Sequence, residues 1–196
     1  MKKLNCYCGA SLEITFNEQI DLLKNPEVIN QILDNNFMEY NCPACNKLLR
    51  PEFRIEFTGN NIDLTMIPEI ERHTLLAGNI LLNTKQVVAG FKELREKFII
   101  LKYNYDDRII ELIKLYLLEK INSKMEVNIL FAKLDKGELI FHIYGLKENE
   151  TGISKIPEHI YTNIDNNLEE RLRAPGIEEL LSLPYRSINK ISTEVQ

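Results

Sequence analysis

An α+β fold is what this sequence predicts, on three observations. Four cysteines fall in two tight pairs, Cys6 with Cys8 and Cys42 with Cys45, and none follows Cys45. Several short runs alternate apolar and polar residues with the period of a half-buried strand. A later segment beginning at Asp106 is apolar around most of a helix. Together these read as an N-terminal zinc ribbon with an inserted helix, followed by an α+β region with a buried central helix and a β-hairpin. The expected domains are residues 1–68 and 69–196.

Taken in order, Leu4 to Phe16 reads as a strand, a cysteine-bearing turn and a second strand, because Leu12, Ile14 and Phe16 alternate with Glu13 and Thr15. Residues 25–34 then switch to helical spacing: Pro26 suits a first turn, and Val28, Ile29, Ile32 and Leu33 share a face. Asn35-Asn36 ends that helix. Phe37 to Asn41 forms a short strand into Cys42-Pro43-Ala44-Cys45. Phe53, Ile55 and Phe57 point one way from the next strand, and Gly59-Asn60-Asn61 turns the chain into Ile62, Leu64 and Met66.

Residues 69–84 carry a weak pattern, with Leu75-Leu76 and Ile80-Leu81-Leu82 open to either strand or helix. From about Val87 the pattern strengthens, and Phe91, Leu94, Phe98 and Leu101 form one helical stripe beside the charged Lys92, Glu93, Glu96 and Lys97. Asn104 and Tyr105 interrupt it. Asp106 is placed as an N-cap, with Asp107 in the first turn to complement the helix dipole. In the helix that follows, only a stripe near Arg108, Glu111 and Lys114 is polar. Asp135-Lys136-Gly137 marks a hairpin between Val127–Leu134 and Glu138–Tyr144. Lys147 to Gly152 reads as a polar loop, 163–173 as a helix stopped by Pro175-Gly176, and 177–183 as another short helix. Roughly the last ten residues lack apolar periodicity and read as disordered.

Composition bounds the function. The chain has 196 residues, 44% hydrophobic and 27% charged, with a net charge of −5. An acidic chain argues against non-specific nucleic-acid binding, which depends on lysine and arginine neutralising phosphates. The start, Met1-Lys2-Lys3-Leu4-Asn5-Cys6, lacks the apolar stretch of a secretory signal, and no apolar run reaches the roughly 20 residues that span a bilayer. A cytoplasmic protein without a membrane partner is expected, and paired cysteines in a reducing compartment point to metal or redox chemistry over disulfides.

Four thiolates in two pairs make the ligand set of a tetrahedral structural Zn²⁺ site, so Cys6, Cys8, Cys42 and Cys45 are the expected metal ligands. Cys42–Cys45 has the usual knuckle spacing, whereas Cys6-Tyr7-Cys8-Gly9 is one residue short, which leaves open whether it supplies both of its sulfurs. A redox dithiol on Cys42–Cys45 and simple core thiols are competing readings. His142 reads as a hydrogen-bonded histidine in or beside the core, and His73 and His159 as surface residues. Asp106, Asp107 and Glu111 invite a carboxylate-site reading, but capping accounts for the two aspartates. No nucleotide-binding or hydrolase motif is present. No catalytic residue is assigned.

Three stretches, in this order and spacing, carry a family resemblance. They are the paired cysteines with a helix opening at Asn25-Pro26-Glu27 before Cys42-Pro43-Ala44-Cys45, then Lys92-Glu93-Leu94-Arg95-Glu96-Lys97, then Asp106-Asp107-Arg108-Ile109-Ile110-Glu111-Leu112-Ile113-Lys114. The chain resembles the CpXC-domain family of bacterial and archaeal proteins. The resemblance implies a zinc-binding fold without an established activity. It also implies a second role for Leu94, Glu96, Asp106, Asp107 and Arg108, as a family-specific surface or an inter-helix lock. The family's first knuckle has Cys-Pro-x-Cys-Gly where this chain has Cys6-Tyr7-Cys8-Gly9. The expected function is a zinc-stabilised, non-enzymatic interaction or adaptor protein with a protein partner. Nucleic-acid binding through Lys47, Arg50 and Arg54, or an enzyme site between the two halves, are the alternatives.

Overall fold

The computed structural model describes residues 1–80, 82–121 and 127–193. The chain divides into two compact units, Met1–Leu94 and Arg95–Gln196. Helices and strands are mixed throughout, and the α+β class holds. Among the described residues no helix is long and apolar enough to cross a membrane.

The first unit contains two cysteine-bearing hairpins and a separate sheet. Strands β1 (Lys2–Asn5) and β2 (Ser11–Ile14) pair antiparallel, with Leu4 opposite Leu12. Strand β3 (Gln19–Asp21) follows, and then helix α1 (Glu27–Leu33), which starts after Pro26 and buries Val28 and Ile32. Asn35, at φ 62°, turns the chain out of α1. Strands β4 (Tyr40–Asn41) and β5 (Leu48–Leu49) form the second hairpin, around Cys42 to Cys45.

Strand β6 (Ile55–Gly59) pairs antiparallel with β7 (Ile62–Ile67) across a turn in which Asn61 takes φ 58°. β3 adds to β6 and β8 (Gln86–Ala89) adds to β7, both in parallel, giving the order β3-β6-β7-β8. The strands read from the sequence as part of the ribbon therefore belong to a four-stranded sheet of their own. β8 also joins residues 86–89 to strands on the other side of the boundary expected at residue 68. Ile55, Phe57, Leu64 and Met66 are fully buried, as their alternation requires. Thr65 and Ile67 are buried as well, so both faces of β7 are covered, which is usual for strands with parallel partners. Between β7 and β8 lie a 3-10 turn (Glu69–Glu71) and helix α2 (Arg72–Leu76). Leu81, in the ambiguous stretch, is outside the described residues.

Helix α3 (Gly90–Lys102) begins at a glycine with φ 73°. A Cβ at Gly90 would sit 2.8 Å from Glu69 Oε2 and 3.0 Å from Glu52 Oε1. Those oxygens are not free to retreat. Glu52 Oε1 accepts the Phe91 N–H at 3.3 Å while its Oε2 accepts the Glu69 N–H at 2.7 Å, and Glu69 Oε2 accepts from the Arg72 guanidinium at 3.1 Å. Gly90→Ala is therefore expected to lower stability by about 1–3 kcal/mol, read as a shift in the urea midpoint.

In the second unit, helix α4 (Asp107–Ile121) buries Ile109, Ile110, Ile113 and Leu117, as expected of a central helix. Its polar stripe turns inward: Lys114 is 1% exposed and Glu111 4%, whereas Tyr116 is 53% exposed. Strands β9 (Asn128–Asp135) and β10 (Glu138–Lys147) make the expected hairpin, with Lys136 and Gly137 both at positive φ. Lys147 to Gly152 is not a loop. Asn149, at φ 61°, reverses the chain into a third strand, β11 (Glu150–Pro157), antiparallel to β10. The single helix expected over 163–173 is two, α5 (Glu158–Asp165) and α6 (Leu168–Leu172), broken at Asn166-Asn167. Helix α7 (Ile177–Leu180) follows Gly176. The reading of a disordered tail is corrected in part: Ile188–Thr193 is a 3-10 segment, and Ser187, Ile188 and Asn189 are buried. Residues 194–196 of that tail lie outside the described residues.

Candidate metal centre

Each hairpin delivers two sulfurs from a tight turn that ends on a residue with positive φ. In the first, the Gly9 N–H donates to the Cys6 carbonyl at 2.9 Å, and Gly9 takes φ 87°. In the second, the Asn46 N–H donates to the Cys42 carbonyl at 2.9 Å, and Asn46 takes φ 55°. Both turns reverse immediately after their second cysteine. The one-residue-short first pair is thus accommodated by a tighter turn, and it still aims both sulfurs at the same point as the second pair.

All four Sγ atoms lie within 4.8 Å of one another. Cys6 faces Cys45 at 3.6 Å, and Cys8 faces Cys42 at 3.6 Å. Zinc–thiolate bonds of about 2.3 Å in a tetrahedron place sulfurs about 3.8 Å apart, so the four residues fit a tetrahedral metal ion. The cysteines are free thiols, with Cys6 and Cys42 buried and Cys8 and Cys45 exposed. The backbone N–H groups of Cys45 and Ala44 point at Cys42 and hold its thiol down to about 6. For Cys45 the N–H of Lys47 acts in the same direction, but hydrogen bonding with Cys8, Cys42 and Cys6 outweighs it and pushes the thiol up to about 12. Four thiolates this close oppose one another's ionisation, and a divalent cation at their centre removes that opposition.

A sequence model of the family described as CpXC protein matches residues 4–114, more than half of the chain and all four cysteines. The chain belongs to the CpXC family. A protein of Treponema pallidum (strain Nichols), described as an uncharacterized protein, is 28% identical over 220 aligned residues, covering 99% of this chain and 100% of that one. No solved structure matches.

The CpXC match runs into α4 as far as Lys114, and in that stretch the structure buries charges that the sequence reads as a polar stripe or, by resemblance, as either a surface or an inter-helix lock. Lys114 Nζ donates to Glu111 Oε1 at 2.6 Å and to Glu96 Oε2 at 3.0 Å, all three side chains being buried. The second oxygen of each carboxylate receives a backbone N–H. Glu96 takes that of Phe131 in β9 at 2.6 Å, and Glu111 takes that of Ile188 at 2.8 Å. Beside them Asp107 pairs with Lys97 at 2.6 Å and with Arg186 at 2.9 Å. Glu96–Lys114 and Lys97–Asp107 both join α3 to α4, which favours the inter-helix lock over a surface for Glu96 and Asp107. Leu94 is simply core, at 1% exposed. Asp106 caps α4 through the Arg108 N–H at 2.8 Å and also pairs with the Arg108 guanidinium. Each carboxylate of the Asp106, Asp107 and Glu111 set is thus met by a cation of the chain itself.

Burial pushes the Glu96 carboxyl from 4.5 up to about 7, against the pull of the Lys114 ammonium, and the charge of Glu111 adds to the rise. The folded state therefore binds this proton more tightly than the unfolded chain does. The stabilisation from protonated Glu96 is fully present below about pH 4.5 and is lost as the pH rises through about 7. Denaturation at about pH 5 and about pH 8 should show this slope in the wild type and a flatter one in Glu96→Gln.

The histidines lie apart from the cysteine cluster. His142, in β10, is half-buried with Nδ1 3.4 Å from the Tyr144 hydroxyl, and His73 and His159 are exposed, as expected of all three. Among the described residues the four cysteines are the group whose donor atoms converge as metal ligands do.

Proposed function

We propose that the chain is a zinc-stabilised, non-enzymatic interaction or adaptor protein in which Cys6, Cys8, Cys42 and Cys45 bind one Zn²⁺. The observation that carries the reading is the convergence of four sulfurs at tetrahedral spacing from two otherwise minimal hairpins. Two-residue strands such as β4 and β5 have little stability of their own. Four protein ligands leave zinc no open position, so the ion acts as folding glue and not as a reagent.

A protein partner is favoured over nucleic acid by what the hairpins expose and by what the basic residues do. Tyr7 is 91% exposed at the first turn, and Leu48 is exposed on the second hairpin. The basic residues near the second turn are engaged within the chain. Arg50 donates to the Phe37 carbonyl at 3.0 Å and lies over the Phe91 ring, Arg54 pairs with Glu71 at 2.6 Å, and Lys47 lies over Tyr7.

Elemental analysis of protein purified without added metal should give about one zinc per chain. Cobalt substitution should give a thiolate-to-cobalt charge-transfer band with tetrahedral ligand-field absorption. Metal well below one per chain, with unchanged folding in chelator, would sink the zinc reading. For the partner, affinity enrichment from the native host should yield a protein that is lost with Tyr7→Ala/Leu48→Ala. Equal recovery by wild type and variant would remove the hairpins from the interface.

A further inference from the structure

The two hairpins present their cysteines in a reciprocal pattern. Each exposed thiol lies against a buried thiol of the opposite hairpin: Cys8 is 3.6 Å from Cys42, and Cys45 is 3.6 Å from Cys6. A closed zinc site protects its buried sulfurs but leaves Cys8 and Cys45 open to small oxidants. Metal coordination keeps those sulfurs as thiolates, the nucleophilic form.

We propose that Cys8 and Cys45 are sites of two-electron oxidation by hydroperoxides, each captured by its buried counterpart, so that cross-hairpin disulfides Cys8–Cys42 and Cys6–Cys45 replace the metal. The proposal rests on the zinc reading above for the metal that is released. An exposed thiolate attacks the terminal peroxide oxygen, the O–O bond breaks, and a sulfenic acid forms as the other oxygen leaves and takes a proton from solvent, giving water from hydrogen peroxide or an alcohol from an organic hydroperoxide. The buried partner thiolate then attacks that sulfur, the S–O bond breaks, and the hydroxide that leaves takes a proton from solvent to become water as the disulfide closes. Two thiols give up two electrons to each hydroperoxide, so two hydroperoxides oxidise the four cysteines, and Zn²⁺ departs with its oxidation state unchanged.

The short first turn selects pairing across the hairpins, and the 3.6 Å separations select Cys8 with Cys42 and Cys6 with Cys45. A Cys6–Cys8 bond would have to close a strained ring over Tyr7 alone, in a turn already fixed by the Gly9 N–H to Cys6 carbonyl bond. With that bond disfavoured, a Cys42–Cys45 disulfide strands Cys6 and Cys8 as thiols. Full oxidation is reached only across the hairpins. The approach needed is small, since sulfurs at 3.6 Å close to a bond of about 2.0 Å. The hairpins accordingly stay tied after the metal has gone, and reduction by a dithiol restores the metal-binding form.

The test starts from full-length protein whose metal content has been measured under reducing conditions. Hydrogen peroxide is then added and three signals are followed: zinc captured by a colorimetric chelator, intact mass, and a non-reducing peptide map. Zinc release should parallel a mass decrease of about 4 Da from the four thiol hydrogens. The map should show Cys8 linked to Cys42 and Cys6 to Cys45, and dithiothreitol should restore zinc binding. Amide-exchange protection of the hairpins should survive peroxide but fall in reduced protein treated with chelator. Zinc-loaded protein that yields Cys42–Cys45, or that gains oxygen without a disulfide, overturns this proposal and leaves the zinc reading intact. Protein that carries no zinc yet forms both cross-links overturns the zinc reading and supports the connectivity.

Discussion

Lys114→Met is expected to destabilise the second unit by about 3–5 kcal/mol above pH 8, seen as a lower urea midpoint with little change in slope. The side chain is 1% exposed, and methionine fills similar volume, so lost packing is a small part of the effect. The larger part is electrostatic. Without the ammonium, Glu96 and Glu111 remain as two buried carboxylates that have lost the cation both contact. Substituting Glu96→Gln and Glu111→Gln in the Lys114→Met background should recover part of the loss. The amide oxygens can still accept the Phe131 and Ile188 N–H groups, and the like-charge conflict is gone. Leucine at the same two positions should recover less, because those buried backbone donors would lose their acceptors.

Cys42→Ala is expected to abolish stoichiometric metal binding and to unfold the hairpins of the first unit. Cys42 is buried and faces Cys8 at 3.6 Å, so its loss leaves three ligands and a hole on the inner side of the cluster. Zinc binding in small structural sites is worth about 10–16 kcal/mol near neutral pH, far more than strands of two to four residues supply. Hydrogen exchange should show protection falling across β1, β2, β4 and β5. The same measurement should find β9, β10 and β11 unchanged, since they lie in a unit without cysteine. Uniform loss across both sets of strands, or none in either, would contradict a local metal staple.

The cysteine cluster and α4 were legible in the sequence for different reasons. Metal ligation restricts both residue type and spacing, so Cys42-Pro43-Ala44-Cys45 announces itself without tertiary information. The run from Ile109 to Leu117 is too apolar to lie on a surface. What escaped were features decided by partners distant in the chain. Glu96 and Lys114 look like ordinary charged helix residues. Their burial depends on each other, on Phe131 and on Ile188, separated from them by many turns of chain. β11 escaped because Glu150, Thr151, Ser154 and Lys155 give an edge strand a loop-like composition. β3 is three residues long, too short to show any period. The buried 187–189 stretch was missed because its hold on α4 is made by the Arg186 guanidinium and the backbone N–H of Ile188, neither of which leaves an apolar pattern.

The asparagines of this chain have a consequence of their own. Among the described residues, five of the seven non-glycine positions at positive φ are asparagine: Asn35, Asn46, Asn61, Asn104 and Asn149. Many proteins place glycine at such corners. Glycine wanders over far more of backbone space when unfolded, and that freedom is forfeited on folding. Asparagine reaches the same left-handed corner while restricting the denatured ensemble. The chain turns repeatedly with only eight glycines. Its reversals, including the one that closes the second cysteine turn, thus lower the entropy of the state they must escape as well as shape the state they reach.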